Sequence, residues 1–317
     1  MRTSISLLVL SLMISLSLRA AIKNDTVFVE KKITLQTKTG DVFGTLTTPQ
    51  KFSKIPVVLI IAGSGPTDRN GNQPGIQNDS YKKLSEQLLK NGIATLRYDK
   101  RGIAESSAAC KNEIDIRFED FIDDAKGLIQ MLKQDKRFSK VIVIGHSEGS
   151  LIGMIAATNA DQFVSIAGVG QSADKLIITQ LSAQSKPLAD EAKPSLDSLK
   201  NGFLVKKYNP ILNSIFKPSI QPYLISWIKY DPQLEIKKLT IPVLILQGTN
   251  DFQVSVDDAK LLQNADPKAH MVLINNMNHV FRIVEGDNKA SYATYFNSTL
   301  PIANKLVESI TDFILKN

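Results

Sequence analysis

The chain has 317 residues, 43% hydrophobic and 22% charged, and a formal net charge of +7. That length and apolar content suit one large domain carrying an insertion, and exclude a disordered chain or a small scaffold. The positive charge is interleaved with acids along the whole sequence, which excludes a concentrated nucleic-acid footprint and leaves solubility with some attraction to anionic surfaces.

In chain order, residues 1–20 depart from globular composition. Arg2 precedes an apolar and serine-rich run over 5–18 that ends at Leu18-Arg19-Ala20-Ala21, the pattern of an export signal for a periplasmic or secreted protein. The run is short for a stable transmembrane helix, which needs about twenty residues; Arg19 near the cut leaves an uncleaved membrane anchor as the alternative. Residues 22–170 then read as the first part of a core. Alternating apolar and polar residues over 27–36 and 41–47, with Lys38-Thr39-Gly40-Asp41 between them, predict an antiparallel hairpin at a sheet edge. A buried strand over 55–62 leads into Gly63-Ser64-Gly65-Pro66 and a long polar loop. Ser80 is expected to cap the helix carrying Tyr81, Leu84, Leu88 and Leu89, and a strand follows over 93–98. Phe118, Phe121, Ile122, Ala125, Leu128, Ile129 and Leu132 fall on one helical face.

Val141-Ile142-Val143-Ile144 is a β-branched run that enters Gly145-His146-Ser147-Glu148-Gly149 and then an apolar helix to about residue 159. A strand over 163–168 follows. Residues 171–235 lose the strand–helix alternation, lean helical and are punctuated by six prolines, predicting a helical cap. The core resumes over 236–317 with strands at 241–248 and 270–274, a helix near 255–264, and a terminal helix bearing Ile302, Leu306, Ile310, Phe313 and Ile314. The expected fold class is α/β, a doubly wound, mostly parallel eight-stranded sheet with a helical cap insertion.

The G-x-S-x-G pattern between a buried strand and a helix describes a nucleophile elbow, with Ser147 held on a strained turn and Gly145 and Gly149 leaving room for neighbouring backbone. A serine hydroxyl needs a base. Of the three histidines, His146 adjoins the nucleophile and should point away from it, and His270 opens the last strand at the wrong edge. His279 lies past the carboxyl end of that strand, where catalytic groups of open α/β sheets gather. Asp251, after the preceding strand, is the acid expected to fix the imidazole; Asp257 and Asp258 are its alternatives, read as helix-start charges on an exposed face. The expected oxyanion donors are the backbone N–H groups of Glu148 and Ser64, with Gly65 the alternative to Ser64. Such chemistry requires no cofactor. Cys110 is the single cysteine, so neither an internal disulfide nor a thiolate metal cluster is expected, and no H-E-x-x-H pair suggests zinc. Asp68, Asn70 and Asn72 alternate as in a calcium loop but lack its glycine and terminal glutamate, so an Asx turn is the reading.

The stretch 63–72, Asp99-Lys100-Arg101-Gly102, G-H-S-E-G at 145–149 and Ser226-Trp227-Ile228-Lys229-Tyr230-Asp231-Pro232 resemble a family of bacterial α/β-hydrolase carboxylesterases with a G-S-G-P oxyanion loop and a helical cap. The resemblance spans nearly everything after residue 20. It implies the α/β-hydrolase fold and cleavage of small to medium acyl esters, small-molecule substrates, through an acyl-enzyme. Two departures touch turns: Ala104 stands where family members often have the second glycine of D-K-R-G-x-G, and Ser150 where many have a glycine after G-H-S-E-G. Ala62 stands where many lipases and esterases place a histidine. Asp99 and Arg101 are expected to pin the loop beside the elbow through an ion pair. Glu148 either influences the imidazole or faces solvent. Trp227 and Tyr230 fit two roles, lining an acyl pocket or packing the cap onto the core. The competing functions are an exopeptidase related to the prolyl oligopeptidase group and a non-catalytic binding module on the same fold.

Overall fold

A computed structural model describes residues 28–316; the expected export signal over 1–20 lies outside them. Eight strands form one sheet: β1 (Phe28–Gln36), β2 (Asp41–Pro49), β3 (Ile55–Ile61), β4 (Ala94–Tyr98), β5 (Phe138–His146), β6 (Gln162–Ile166), β7 (Val243–Gly248) and β8 (His270–Ile274). Their spatial order is β1-β2-β4-β3-β5-β6-β7-β8. The β1/β2 and β2/β4 pairings are antiparallel and all others parallel, so the predicted hairpin does sit at the edge. Parallel neighbours need crossovers, and these are supplied by α1 (Ser80–Lys90), α2 (Phe118–Gln134), α3 (Glu148–Ala156), α4 (Ala173–Gln184), α5 (Lys186–Lys200), α6 (Asn213–Phe216), α7 (Gln221–Ile228), α8 (Pro232–Ile236) and α9 (Val256–Ala265), with α10 (Asn288–Ala293) and α11 (Asn304–Lys316) after the last strand.

Both faces of the sheet are covered, which explains unbroken apolar runs in place of alternation. Val57, Leu59 and Ile61 of β3 and Val141 and Val143 of β5 enter one core layer with α2, α3 and α9. Val58 and Ile60, with Ile142 and Ile144, enter the other with α1 and α11. The two-residue period of a strand makes that division. Leu181, Ala189, Leu196, Phe216, Leu224 and Trp227 belong to the first layer, so the helices between β6 and β7 continue the core and do not stand apart from it. Among the described residues, no helix is long and apolar enough to cross a membrane.

Local expectations fail where a long-range partner intervenes. Asp79, not Ser80, occupies the position before α1, in the left-handed region at φ 53° and without a side-chain cap. The Ser80 hydroxyl instead lies within hydrogen-bond distance of two acceptors, Asn78 Oδ1 at 2.5 Å and the Val280 carbonyl at 2.9 Å. Asp258 is 3% exposed: it closes a capping box with Ser255 and accepts from the Gly170 N–H at 3.0 Å, tying the loop after β6 to α9. Pro194 does not punctuate but lies inside α5.

The elbow glycines are set by contact. A Cβ on Gly145 would stand 2.3 Å from the Gly149 carbonyl oxygen, and one on Gly149 2.4 Å from that of Ile61. Both neighbours are backbone and cannot swing aside. Gly149→Ala is therefore predicted to destabilise the protein by roughly 3 kcal/mol or more; urea unfolding showing a loss under about 1 kcal/mol would contradict this packing.

Candidate active site

Ser147 sits between β5 and α3 at φ 54°, ψ −122°, a conformation a non-glycine residue adopts at a cost of about 1–3 kcal/mol. The surroundings hold it there. Its N–H donates to the Ile166 carbonyl at 3.0 Å, and its own carbonyl accepts from the Ser150 N–H at 2.9 Å. The side chain lines a cavity of about 470 Å³ together with His279, Ser64 and Tyr295.

His279 emerges from the loop after β8 with Nδ1 2.7 Å from Asp251 Oδ2. The Asp251 side chain is 1% exposed, and its other oxygen accepts from the N–H groups of Gln253 and Val254 at 2.8 and 3.0 Å. A carboxylate accepts only, so the Nδ1 position carries the proton and Nε2 is left as the basic atom. Asp257 is exposed and pairs with Lys260, while Asp258 serves the Gly170 and Ser255 contacts described above; neither reaches the imidazole.

His146 points away from the serine hydroxyl into a buried hydrogen-bond chain. The Gly63 N–H donates to the Tyr81 hydroxyl at 3.1 Å, Tyr81 donates to His146 Nδ1 at 2.7 Å, and His146 Nε2 donates to the His279 carbonyl at 3.0 Å. Each donation fixes the next, so His146 is the Nε2–H tautomer. Burial, and then the neighbouring His279, pushes its pKa well below the usual histidine range, which keeps it neutral. Burial likewise pushes the Tyr81 hydroxyl up. His270 is exposed at the far end of β8.

The loop after β3 lies directly on Ser147: a Cβ on Gly63 would be 3.1 Å from the Ser147 Cβ. Ser64 therefore borders Ser147, and Gly65 turns the chain away at φ +76°. Glu148 N is the first amide of α3, where helix N–H groups lack intrahelical partners and the dipole favours negative charge. Asp68 accepts from the N–H groups of Asn70 and Asn72 at 2.8 and 2.9 Å, an Asx-type closure of its own loop.

Several expectations need correction. Asp99 and Arg101 do not pair with each other. Asp99 binds Arg69 at 2.6 Å and so pins the loop after β3, while Arg101 binds Asp124 of α2; the two positions, two residues apart after β4, meet partners from different elements. Glu148 neither faces solvent nor touches the imidazole: it is 2% exposed, 3.1 Å from Lys100 Nζ, and takes a short hydrogen bond from the Tyr223 hydroxyl. Of its two expected roles Tyr230 takes the packing one: it lines neither cavity, lies 5.4 Å from the Phe118 ring and donates to Glu119 at 3.1 Å. Trp227 fits both of its roles, stacking on Phe118 at 6.0 Å and lining a second cavity of about 1060 Å³ with Leu181, Ile215, Ile220, Leu224 and Tyr223.

That larger, mostly apolar cavity also reaches Ser147 and Ser64, so the two spaces meet at Ser147. Lys100, Tyr81, Tyr223 and Tyr295 escaped the sequence reading. Lys100 lay inside a motif already singled out, whereas nothing local marks the tyrosines. The family departures are accommodated. Ala104 adopts φ 44°, the glycine-like conformation, and the Ser150 hydroxyl pairs with that of Ser165 at 2.7 Å.

The strand order, with a serine on the tight turn after β5 and the Asp251–His279 pair past the ends of β7 and β8, is that of the α/β-hydrolase fold. Residues 77–208 match the family described as serine aminopeptidase, S33. Esterase EstD of Thermotoga maritima is 26% identical over 295 residues, covering 91% of this chain and 68% of that protein. Among solved structures, Est1E from Butyrivibrio proteoclasticus aligns with a TM-score of 0.57 at 16% identity, over 90% of this chain and 98% of that one. The Pyrococcus furiosus esterase Pf2001 aligns with a TM-score of 0.56 at 16% identity, over 91% and 93%. At such identities the solved structures share the fold.

Proposed function

We propose that this protein is a serine carboxylesterase acting on small to medium acyl esters, with Ser147, His279 and Asp251 as its catalytic unit. The observation that carries the reading is the Asp251–His279 contact of 2.7 Å set beside a nucleophile on a strained elbow. His279 Nε2 takes the Ser147 proton as Oγ attacks the ester carbonyl, and returns it to the departing alcohol. The N–H groups of Ser64 and Glu148 receive the oxyanion. Water, activated by the same imidazole, then releases the acid. The apolar cavity of about 1060 Å³ supports acyl chains beyond acetyl. The apolar run over 5–18 supports an exported enzyme.

The S33 match raises the aminopeptidase alternative, which needs an available carboxylate to hold a substrate ammonium. Glu148 and Glu113 are the carboxylates lining the larger cavity, and each is already paired, with Lys100 and Lys217 respectively. That favours an uncharged ester. In a panel of p-nitrophenyl esters of increasing chain length beside aminoacyl p-nitroanilides, ester turnover is expected to exceed amide turnover at every length up to medium chains. Faster anilide turnover would replace the reading by an exopeptidase, and a fluorophosphonate that leaves Ser147 unlabelled would replace it by a non-catalytic module.

A further inference from the structure

We infer that Lys100 is a positioning residue that aims and polarises the Ser64 oxyanion donor through the far side of its peptide bond. The inference rests on the esterase reading and goes beyond it, since that reading assigns Lys100 nothing. Lys100 is 2% exposed. Its Nζ donates to the Gly63 carbonyl oxygen at 2.6 Å and to Glu148 Oε2 at 3.1 Å, and it lies 4.9 Å from the centroid of the Phe121 ring. The Gly63 carbonyl and the Ser64 N–H belong to one planar unit. No cis peptide occurs among the described residues, and in a trans unit the two groups point in opposite directions. Gripping the oxygen from behind therefore sets the direction of the N–H in front. The Gly63 N–H, on the preceding peptide, is held by Tyr81 at 3.1 Å, so the loop is fixed on both sides of that residue.

Charge adds to direction. An ammonium on a carbonyl oxygen draws electron density through the amide and makes its N–H a stronger donor, an effect enlarged where water is excluded. Glu148 balances the ammonium, and its remaining oxygen is occupied by Tyr223 from α7. The same residue contributes the second donor through its backbone, so a single buried cluster sets both donors relative to each other and to the cap. Stability alone gives no reason for such a pair at a cavity wall, because a buried ion pair is commonly no better than well-packed apolar residues of similar volume.

Lys100→Met alone would strand the Glu148 carboxylate and risk misfolding, so the decisive variant is the charge-balanced Lys100→Met, Glu148→Gln pair. With active sites counted by fluorophosphonate titration, kcat on a short p-nitrophenyl ester is expected to fall about 10- to 100-fold, less than the loss of a whole donor. KM should stay within about threefold, and affinity for a trifluoromethyl ketone, whose adduct carries the oxyanion, should fall by the same factor as kcat. A folded pair variant with kcat within about twofold of the wild type overturns the inference. So does a fall in kcat with unchanged ketone affinity. A wild-type enzyme that hydrolyses no ester removes instead the reading on which it rests.

Discussion

Ser147→Ala and His279→Ala are each expected to lower kcat on a short p-nitrophenyl ester by about 10⁵- to 10⁶-fold, with KM within roughly threefold. The motivation is the convergence of the elbow serine and an imidazole whose Nδ1 is committed to Asp251 at 2.7 Å. Without His279 the hydroxyl keeps its proton and is a poor nucleophile; without Ser147 the base has nothing to activate but water. Groups that act as one unit lose their effect together, so the double variant should be no slower than either single one. Steady-state kinetics on all three variants decides the matter. Losses that multiply, or a His279→Ala enzyme retaining a tenth of its activity, would transfer the base role elsewhere. His146 is a poor heir, being bonded at both nitrogens and made a weak base by its burial.

Asp251→Asn is expected to reduce kcat/KM by about 10⁴-fold with little change in fold. Oδ1 of the new side chain can still accept from the Gln253 and Val254 N–H groups, contacts of 2.8 and 3.0 Å in the structure, so the loop should survive. The amide nitrogen, however, would donate toward Nδ1 and favour the tautomer that protonates Nε2, the wrong one for a base. Kinetics paired with thermal unfolding separates the two effects: a loss below about tenfold in a stable variant would mean that Asp251 merely closes its turn.

How much of this could be read without coordinates follows from the kind of information each feature uses. The elbow was legible because its demands are local. A buried parallel strand needs a β-branched run, and the turn leaves no space for a Cβ at Gly145 or Gly149. The positions of Asp251 and His279 were legible because parallel strands end at one edge, so residues just past the ends of β7 and β8 must lie near the end of β5. Elimination among three histidines did the rest.

Polar pairings across the fold were not legible. Asp99 and Arg101 are two residues apart and of opposite charge, yet their partners, Arg69 and Asp124, come from a loop and a helix whose approach no spacing rule gives. Ser80 and Asp258 have the composition of helix-start residues, and each was drawn into a contact with a distant backbone group, Val280 and Gly170. Tyr230 and Tyr223 lie on neighbouring stretches between β6 and β7, and only the packing of these on α2 decided that Tyr223 lines the cavity while Tyr230 turns to Glu119.

The amino-acid sequence by itself therefore determined the strand–helix alternation, the elbow and the two residues placed beside it, Asp251 and His279, since these depend on period, turn sterics and the shared edge of a parallel sheet. Tertiary structure alone decided what stands behind the loop after β3: Lys100 on the Gly63 carbonyl, Glu148 buried against it, and Tyr223 arriving from α7. Buried charges must find partners wherever the chain brings them, and that requirement is satisfied in space, not along the sequence.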